Sequence, residues 1–176
     1  MNAIFSARKL RSLAVNVSVF VALLTFGVAS ASAAGWYEAE NYGFSGYISK
    51  FIIPDAKASG GEALRFVHSN ESDYTWSPTG GAITGKSDLW IYASSTSCVG
   101  YANAQIYVWA WSGTAYVSKV ANVNISIASP TYTWFHIANV SLTKGQPVVF
   151  FTRFTNDKYV SSSCDRNLSV DGYYLS

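Results

Sequence analysis

Beyond residue 35 the chain is cut into short stretches rich in β-branched and aromatic residues, each closed by Gly, Ser, Asn, Asp or Pro. None of them carries the 3.6-residue apolar period of an amphipathic helix. The stretches expected as strands are Trp36–Ala39, Gly46–Phe51, Ala63–Val67, Asp88–Ser94, Ala104–Ser112, Tyr116–Ile127, Thr133–Leu142, Pro147–Asn156 and Leu168–Leu175. Turn signals fall between them at Ser59-Gly60-Gly61, Ser77-Pro78-Thr79-Gly80-Gly81, Ser112-Gly113, Ser129-Pro130 and Lys144-Gly145. Many short strands with no helix between them point to an all-β fold, a two-sheet β-sandwich. The run Ala104–Trp111 shows how such a strand divides its faces. Alternation puts Ala104, Ile106, Val108 and Ala110 on an aliphatic core face. Gln105, Tyr107, Trp109 and Trp111 form an aromatic stripe on the other, either covered by chain or open to a ligand.

The N-terminus has a different composition. Arg8, Lys9 and Arg11 precede a charge-free run of Val, Leu, Phe and Ala from Leu13 to Ala29, which ends in Ala29-Ser30-Ala31-Ser32-Ala33. That is the order of a secretory signal peptide with an A-x-A cleavage site. The rival is a membrane anchor, but the most apolar part is shorter than the roughly 20 residues a span needs. Cleavage after Ala33 is expected to leave Ala34–Ser176, 143 residues, enough for one domain with its own core. The protein is then expected to be secreted, with no membrane attachment once the leader is removed.

The whole chain has 12 Lys and Arg against 10 Asp and Glu, a net charge of +2, and loss of the three basic residues in the leader brings it to −1. A near-neutral domain without a basic run offers no electrostatic basis for binding nucleic acid or anionic lipid. Its two cysteines, Cys98 and Cys164, are most simply one disulfide in an oxidising compartment. The rivals are weaker: two thiols make a poor metal site, and a Cys nucleophile needs a base from among only His68 and His136. The bridge would close a loop of 66 residues and stabilise by about 4 kcal/mol on the chain-entropy model.

The ten acidic residues are unevenly placed, five of them falling near the two ends of the domain. Glu38 and Glu40 are two apart on an expected strand, so their side chains share a face. Two adjacent carboxylates repel, and the conflict is resolved either by solvent or by a hard cation such as calcium, which takes six to eight oxygens. First and last strands of a sandwich often neighbour one another, so Asp171 could complete such a site. Asp157 and Asp165 flank a Ser-rich loop ending at Cys164, and a disulfide to Cys98 would pin that loop beside Gly100-Tyr101.

Three segments carry a resemblance: Glu38-Ala39-Glu40-Asn41, Gly61-Glu62-Ala63-Leu64-Arg65-Phe66, and Phe154-Thr155-Asn156-Asp157 with Cys164-Asp165-Arg166-Asn167-Leu168-Ser169-Val170-Asp171. In this order they resemble the calcium-dependent, β-jelly-roll carbohydrate-binding modules of families 6, 35, 36 and 60, and the C-terminal stretch resembles most the xylan-binding families 36 and 60. The resemblance implies a jelly-roll sandwich with calcium as cofactor. It implies structural calcium ligands at Glu38, Glu40 and Asp171. It also implies a second, sugar-contacting calcium at Asp157, Asp165 and the backbone carbonyl of Cys164, with Arg166 and Tyr101 as neighbouring ligand-binding candidates. The stretch from Ser69 to Lys86 matches nothing in these families.

Three functional classes follow. The first is a secreted, monomeric, non-catalytic protein that binds a polysaccharide or oligosaccharide such as xylan with calcium. The second is a polysaccharide-active enzyme. Glycoside hydrolysis needs two carboxylates about 5 to 10 Å apart across a cleft, and a carboxylate that binds metal is unavailable as a general acid. No G-x-S-x-G accompanies His68 or His136. The third is a surface or matrix protein whose sandwich is structural, since a fold alone does not fix function. His136, alternating with Trp134 and Ala138, is expected to be packed and hydrogen-bonded. Arg166 is expected either to orient its loop through Asp165 or to reach the sugar.

Overall fold

Alternating side chains become strands throughout the computed structural model, which describes residues 35–40, 51–77, 85–143 and 146–175. These residues form β1 (Gly35–Glu38), β2 (Ile52–Pro54), β3 (Glu62–Phe66), β4 (Ser72–Ser77), β5 (Gly85–Ser95) and β6 (Ala102–Trp111). They continue with β7 (Tyr116–Ile127), β8 (Thr133–Leu142), β9 (Val148–Phe154), β10 (Lys158–Ser161), β11 (Cys164–Arg166) and β12 (Leu168–Leu175). The one helical element among them is a 3-10 turn at Ser59–Gly61. All described residues belong to one compact unit, Ala33–Ser176. The expected leader, Met1–Ala33, and the expected strand Gly46–Phe51 lie outside the described residues, apart from Phe51, which is in a turn.

The all-β sandwich expected from the strand pattern is present. One sheet runs in the order β2-β3-β12-β5-β8, with β1 also on β12, and the other runs β4-β9-β6-β7. Strands β10 and β11 make a separate two-stranded ribbon. Every pairing is antiparallel. The core is the apolar face each strand turns inward. Ala104, Ile106, Val108 and Ala110 of β6 are fully buried, as their alternation requires, against Leu64, Ile91 and Leu175 of the opposite sheet in one cluster. Phe150 and Tyr173 stack across the two sheets with ring centroids 4.5 Å apart.

Strands β2, β4, β10 and β11 go beyond the sequence expectation. In β4 the usual pattern is inverted: Asp73 and Thr75 point inward, 4% and 1% exposed, and Tyr74 points outward at 39%. The inward polar groups meet partners, except for Asp73 Oδ2. Thr75 donates to the Ala39 carbonyl at 3.1 Å. The Tyr74 amide donates to Asp73 at 2.7 Å, and Thr152 and Tyr173 share a hydrogen bond between the sheets. A hydrophobic period therefore could not reveal β4.

The positioning strand is β12. Its first part, Leu168–Val170, pairs with β3. Its second part, Gly172–Leu175, pairs with β1. Strand β5 takes the other edge along the whole length, with a break in register between Val170 and Gly172. Asp171 is the residue at that handover.

Candidate metal centre

A bulge points a side chain where regular pairing would not, and Asp171 occupies one. Its carbonyl accepts the Ala39 amide at 2.8 Å, which ties the end of β1 to the same point. Glu38 closes β1 and Glu40 follows in the turn beyond it. One carboxylate oxygen of each of Glu38, Glu40 and Asp171 then lies within 4.8 Å of the others. The third side of the site is the turn before β3. The Ser59 amide donates to Asp171 Oδ2 and its hydroxyl to Glu38 Oε1, both at 2.9 Å. Gly60 has φ of 69°, and a Cβ there would stand 3.7 Å from Glu40 Oε1. Glycine lets this left-handed turn lie against the carboxylates.

These hydrogen bonds leave one oxygen of each acid over. Glu38 Oε2, Glu40 Oε2 and Asp171 Oδ1 are buried and have no hydrogen-bond partner. Buried acceptors without partners are rare in folded proteins and costly. Three anions this close repel by several kcal/mol at an effective dielectric of about 20. For Glu40 and Asp171 burial acts first and this repulsion adds to it. Burial, aided by the carboxylates of Glu38, Asp171 and Glu62, pushes Glu40 up to about 7. Burial, with Glu38 and Asp55 adding to it, pushes Asp171 up to about 6 against the opposing Ser59 amide. A divalent cation held by one oxygen of each acid removes the repulsion among them. The donors are all hard oxygens, which suits calcium or magnesium and not a thiolate- or imidazole-seeking metal.

The other site residues named from the sequence lie at the β10–β11 ribbon. Cys164 is bonded to Cys98 with Cα atoms 4.8 Å apart, so the expected disulfide is present. Asp157 directly precedes β10, and Asp165 lies in β11 opposite Tyr159, which is 66% exposed. No described contact joins the two carboxylates. Asp165 Oδ2 accepts from Asn167 Nδ2 at 3.0 Å. Asp157 Oδ1 and Asn167 Oδ1 are buried without partners. Tyr101 is half-buried, and its carbonyl accepts from Asn156 at 3.0 Å. Arg166 is only 8% exposed, and its guanidinium donates to the carbonyls of Cys98, Val99, Gly100 and Asn156. It clamps the disulfide loop to the base of the ribbon.

Several contributors were not among the sequence candidates. Ser59 and Gly60 were legible only as a turn; nothing in that turn signal places them against Glu38, Glu40 and the distant Asp171. Asn167 stood inside the resembling C-terminal segment with no role of its own. The aromatic stripe on β6 is half-exposed rather than covered. Tyr107 and Trp109 stack with centroids 5.6 Å apart, beside Phe151 and Tyr74. His136 is hydrogen-bonded as expected, to Asp88 at 3.1 Å, but it is exposed on the surface. A bulge removes Ala138 from its face, since Ala138 pairs with Leu89 while His136 pairs with Trp90.

A scan against family models returned no match, and no curated protein matched by sequence. Several solved structures are similar. The CBM36-1 domain of a multidomain xylanase from the hindgut metagenome of Trinervitermes trinervoides is 13% identical, with a TM-score of 0.49 over 80% of this chain and 94% of that one. A carbohydrate-binding module, CBM36, in complex with calcium and xylotriose is 16% identical, with a TM-score of 0.46 over 80% and 98%. The mosquito-larvicidal Cry4Aa toxin of Bacillus thuringiensis is 8% identical, with a TM-score of 0.49 over 70% of this chain and 20% of that one. At such identities and scores none of these bears on the ligand.

Proposed function

We propose that this chain is a secreted, non-catalytic carbohydrate-binding domain that takes calcium at Glu38, Glu40 and Asp171. The observation that carries the metal is a cluster of three acids, one carboxylate oxygen of each within 4.8 Å of the others, each acid also keeping one buried oxygen without a hydrogen-bond partner. Calcium at this point ties the end of β1, the bulge of β12 and the turn before β3 together, a structural role. Extracellular modules bind calcium with dissociation constants around 10⁻⁴ to 10⁻³ M, and the expected leader and the disulfide are consistent with that compartment.

The sugar is assigned to the ribbon by the resemblance of Asp157, Cys164 and Asp165 to the sugar-contacting calcium ligands of the xylan-binding modules. Two geometric features support it. Asp157 Oδ1 and Asn167 Oδ1 are a second set of buried oxygens without partners. Tyr159 stands exposed opposite Asp165, where a pyranose ring can stack. The disulfide and the Arg166 clamp hold that loop, which a cation with few protein ligands needs. A neutral polymer of the xylan type is the ligand proposed.

The test is retention of the purified protein on insoluble xylan and calorimetric titration with xylo-oligosaccharides, each with calcium and with EDTA. Binding in calcium that falls sharply in EDTA is the expected result. Equal binding in both overturns the calcium-mediated site. A glycan panel without hits in calcium overturns the carbohydrate assignment and favours a structural surface protein.

A further inference from the structure

The outer face of the six-stranded sheet has a feature that the proposed sites do not use. Its register aligns Trp36 of β1, Tyr174 of β12, Trp90 of β5 and His136 of β8 in one row, each directly opposite the next. The adjoining row runs Glu38, Gly172, Tyr92 and Trp134. Residues directly opposite in a sheet share a face at spacings near 5 Å. Gly172 is required here, because a Cβ would come within 2.6 Å of Trp36 Cη2 and 2.7 Å of the Tyr37 carbonyl. The glycine lets the Trp36 indole lie down on β12. Trp36 then braces Trp134 at 5.4 Å, and Trp134 contacts Tyr174 at 5.8 Å. Between Trp90, Trp134 and Tyr174 the sheet surface has a recess of about 380 Å³, and Trp134 beside it is 44% exposed.

The charge around the recess selects its occupant. On one side the nearest ionisable groups are His136 and Asp88, 3.1 Å apart and paired with each other. On the other is Glu38 of the acidic site. Among the described residues, Lys86 lies on the same face of β5 but beyond Asp88, opposite Ser141 and away from the rings, and the acidic edge repels an anion. A second copy packed here about a twofold axis would bring Glu38 and Asp88 of both copies into one interface, which like charges oppose. A neutral sugar polymer fits both the recess and its rim. The C–H face of a pyranose matches the ring faces, and its hydroxyls match the His136–Asp88 pair.

We infer that this face is a second binding site, for the ring faces of a neutral polysaccharide, independent of calcium and centred on Trp90, Trp134 and Tyr174. It shares its ligand class with the proposed function and differs from it in place and in its indifference to calcium. The domain would then hold one polymer at two points, and the two together would bind more tightly than either alone.

The experiment is affinity electrophoresis and titration calorimetry against soluble xylan, galactan and β-glucan. It uses wild type, Trp134→Ala, Trp134→Tyr and Asp165→Asn, in calcium and in EDTA. Trp134 is exposed enough for its removal to leave the fold intact, which circular dichroism checks. Wild type is expected to retain weak binding in EDTA, Asp165→Asn to keep that fraction, and Trp134→Ala to lose it by about tenfold or more. Trp134→Tyr is expected to recover most of it. Binding in calcium with Trp134→Ala indistinguishable from wild type in both buffers overturns the inference alone. A dimer in sedimentation velocity that Trp134→Ala abolishes, without any change in sugar binding, also overturns it. No binding of any of the four proteins to any polysaccharide overturns the carbohydrate assignment together with it.

Discussion

Asp171 and Gly172 are neighbours that do opposite things. Asp171 leaves the regular ladder so that its carboxylate can face Glu38 and Glu40. Gly172 keeps its place in the ladder and has no side chain, so that Trp36 can cover it. Gly172→Ala is therefore expected to destabilise by about 1–3 kcal/mol, the usual cost of overpacking a tight site, and to disturb Trp36 fluorescence. Urea denaturation with an unchanged midpoint would contradict the contact. The acids make a prediction of pH dependence. Glu40 is raised to about 7 and Asp171 to about 6 in the folded protein. A carboxyl whose folded value lies above its unfolded one contributes stability that is full below the unfolded value and is lost as pH rises through the folded one. Either group alone corresponds to roughly 3 kcal/mol. The melting temperature in EDTA is expected to fall between about pH 4 and pH 8. Excess calcium, which binds the ionised carboxylates, is expected to reverse most of that fall.

At the scale of elements, the legible strands were those whose inward faces are apolar. Strand β6 alternates cleanly and was found with its inward side chains correct. Strand β4 reverses the rule by sending Asp73 and Thr75 inward, β10 is short and exposed, and β11 is three residues that end in a buried arginine, so composition gave no apolar face to detect. The acidic site was half legible. Glu38-x-Glu40 brings two acids together by spacing alone, although Glu40 lies in the turn beyond β1, whereas Ser59 and Gly60 join them only through the pairing of β3 with β12, which is a tertiary event. Asp73 supplies a test of β4. Burial raises it to about 6, so it adds a loss of stability with rising pH that calcium does not reverse. Asp73→Asn is expected to remove that residual slope in calcium-saturated protein, and an unchanged slope would contradict the buried carboxyl. The ribbon has its own test in Arg166. Replacing it with Lys leaves a single ammonium in place of a planar fork that reaches four carbonyls. Arg166→Lys is expected to cost about 2 kcal/mol or more, with sugar binding at the ribbon weakened because Asp157 and Asp165 lose their support.

For the whole molecule, the central claim is that the sandwich is closed by calcium. Strands β1 and β3 take successive halves of one edge of β12, and three carboxylates meet where they change over. Without a cation that junction holds mutually repelling, desolvated carboxylates; with one it becomes a crosslink between the first and last strands of the described fold. Both outer faces of the sandwich also carry exposed aromatic rings, in keeping with a protein that meets its ligand at the surface rather than in a deep cleft. The most direct test is calorimetric titration of calcium into EDTA-stripped protein near neutral pH, with wild type and Asp171→Asn compared. Saturable binding in wild type, weakened at least about a hundredfold by Asp171→Asn, is the predicted result. Absence of saturable binding in wild type, or equal affinity in the two proteins, would contradict it.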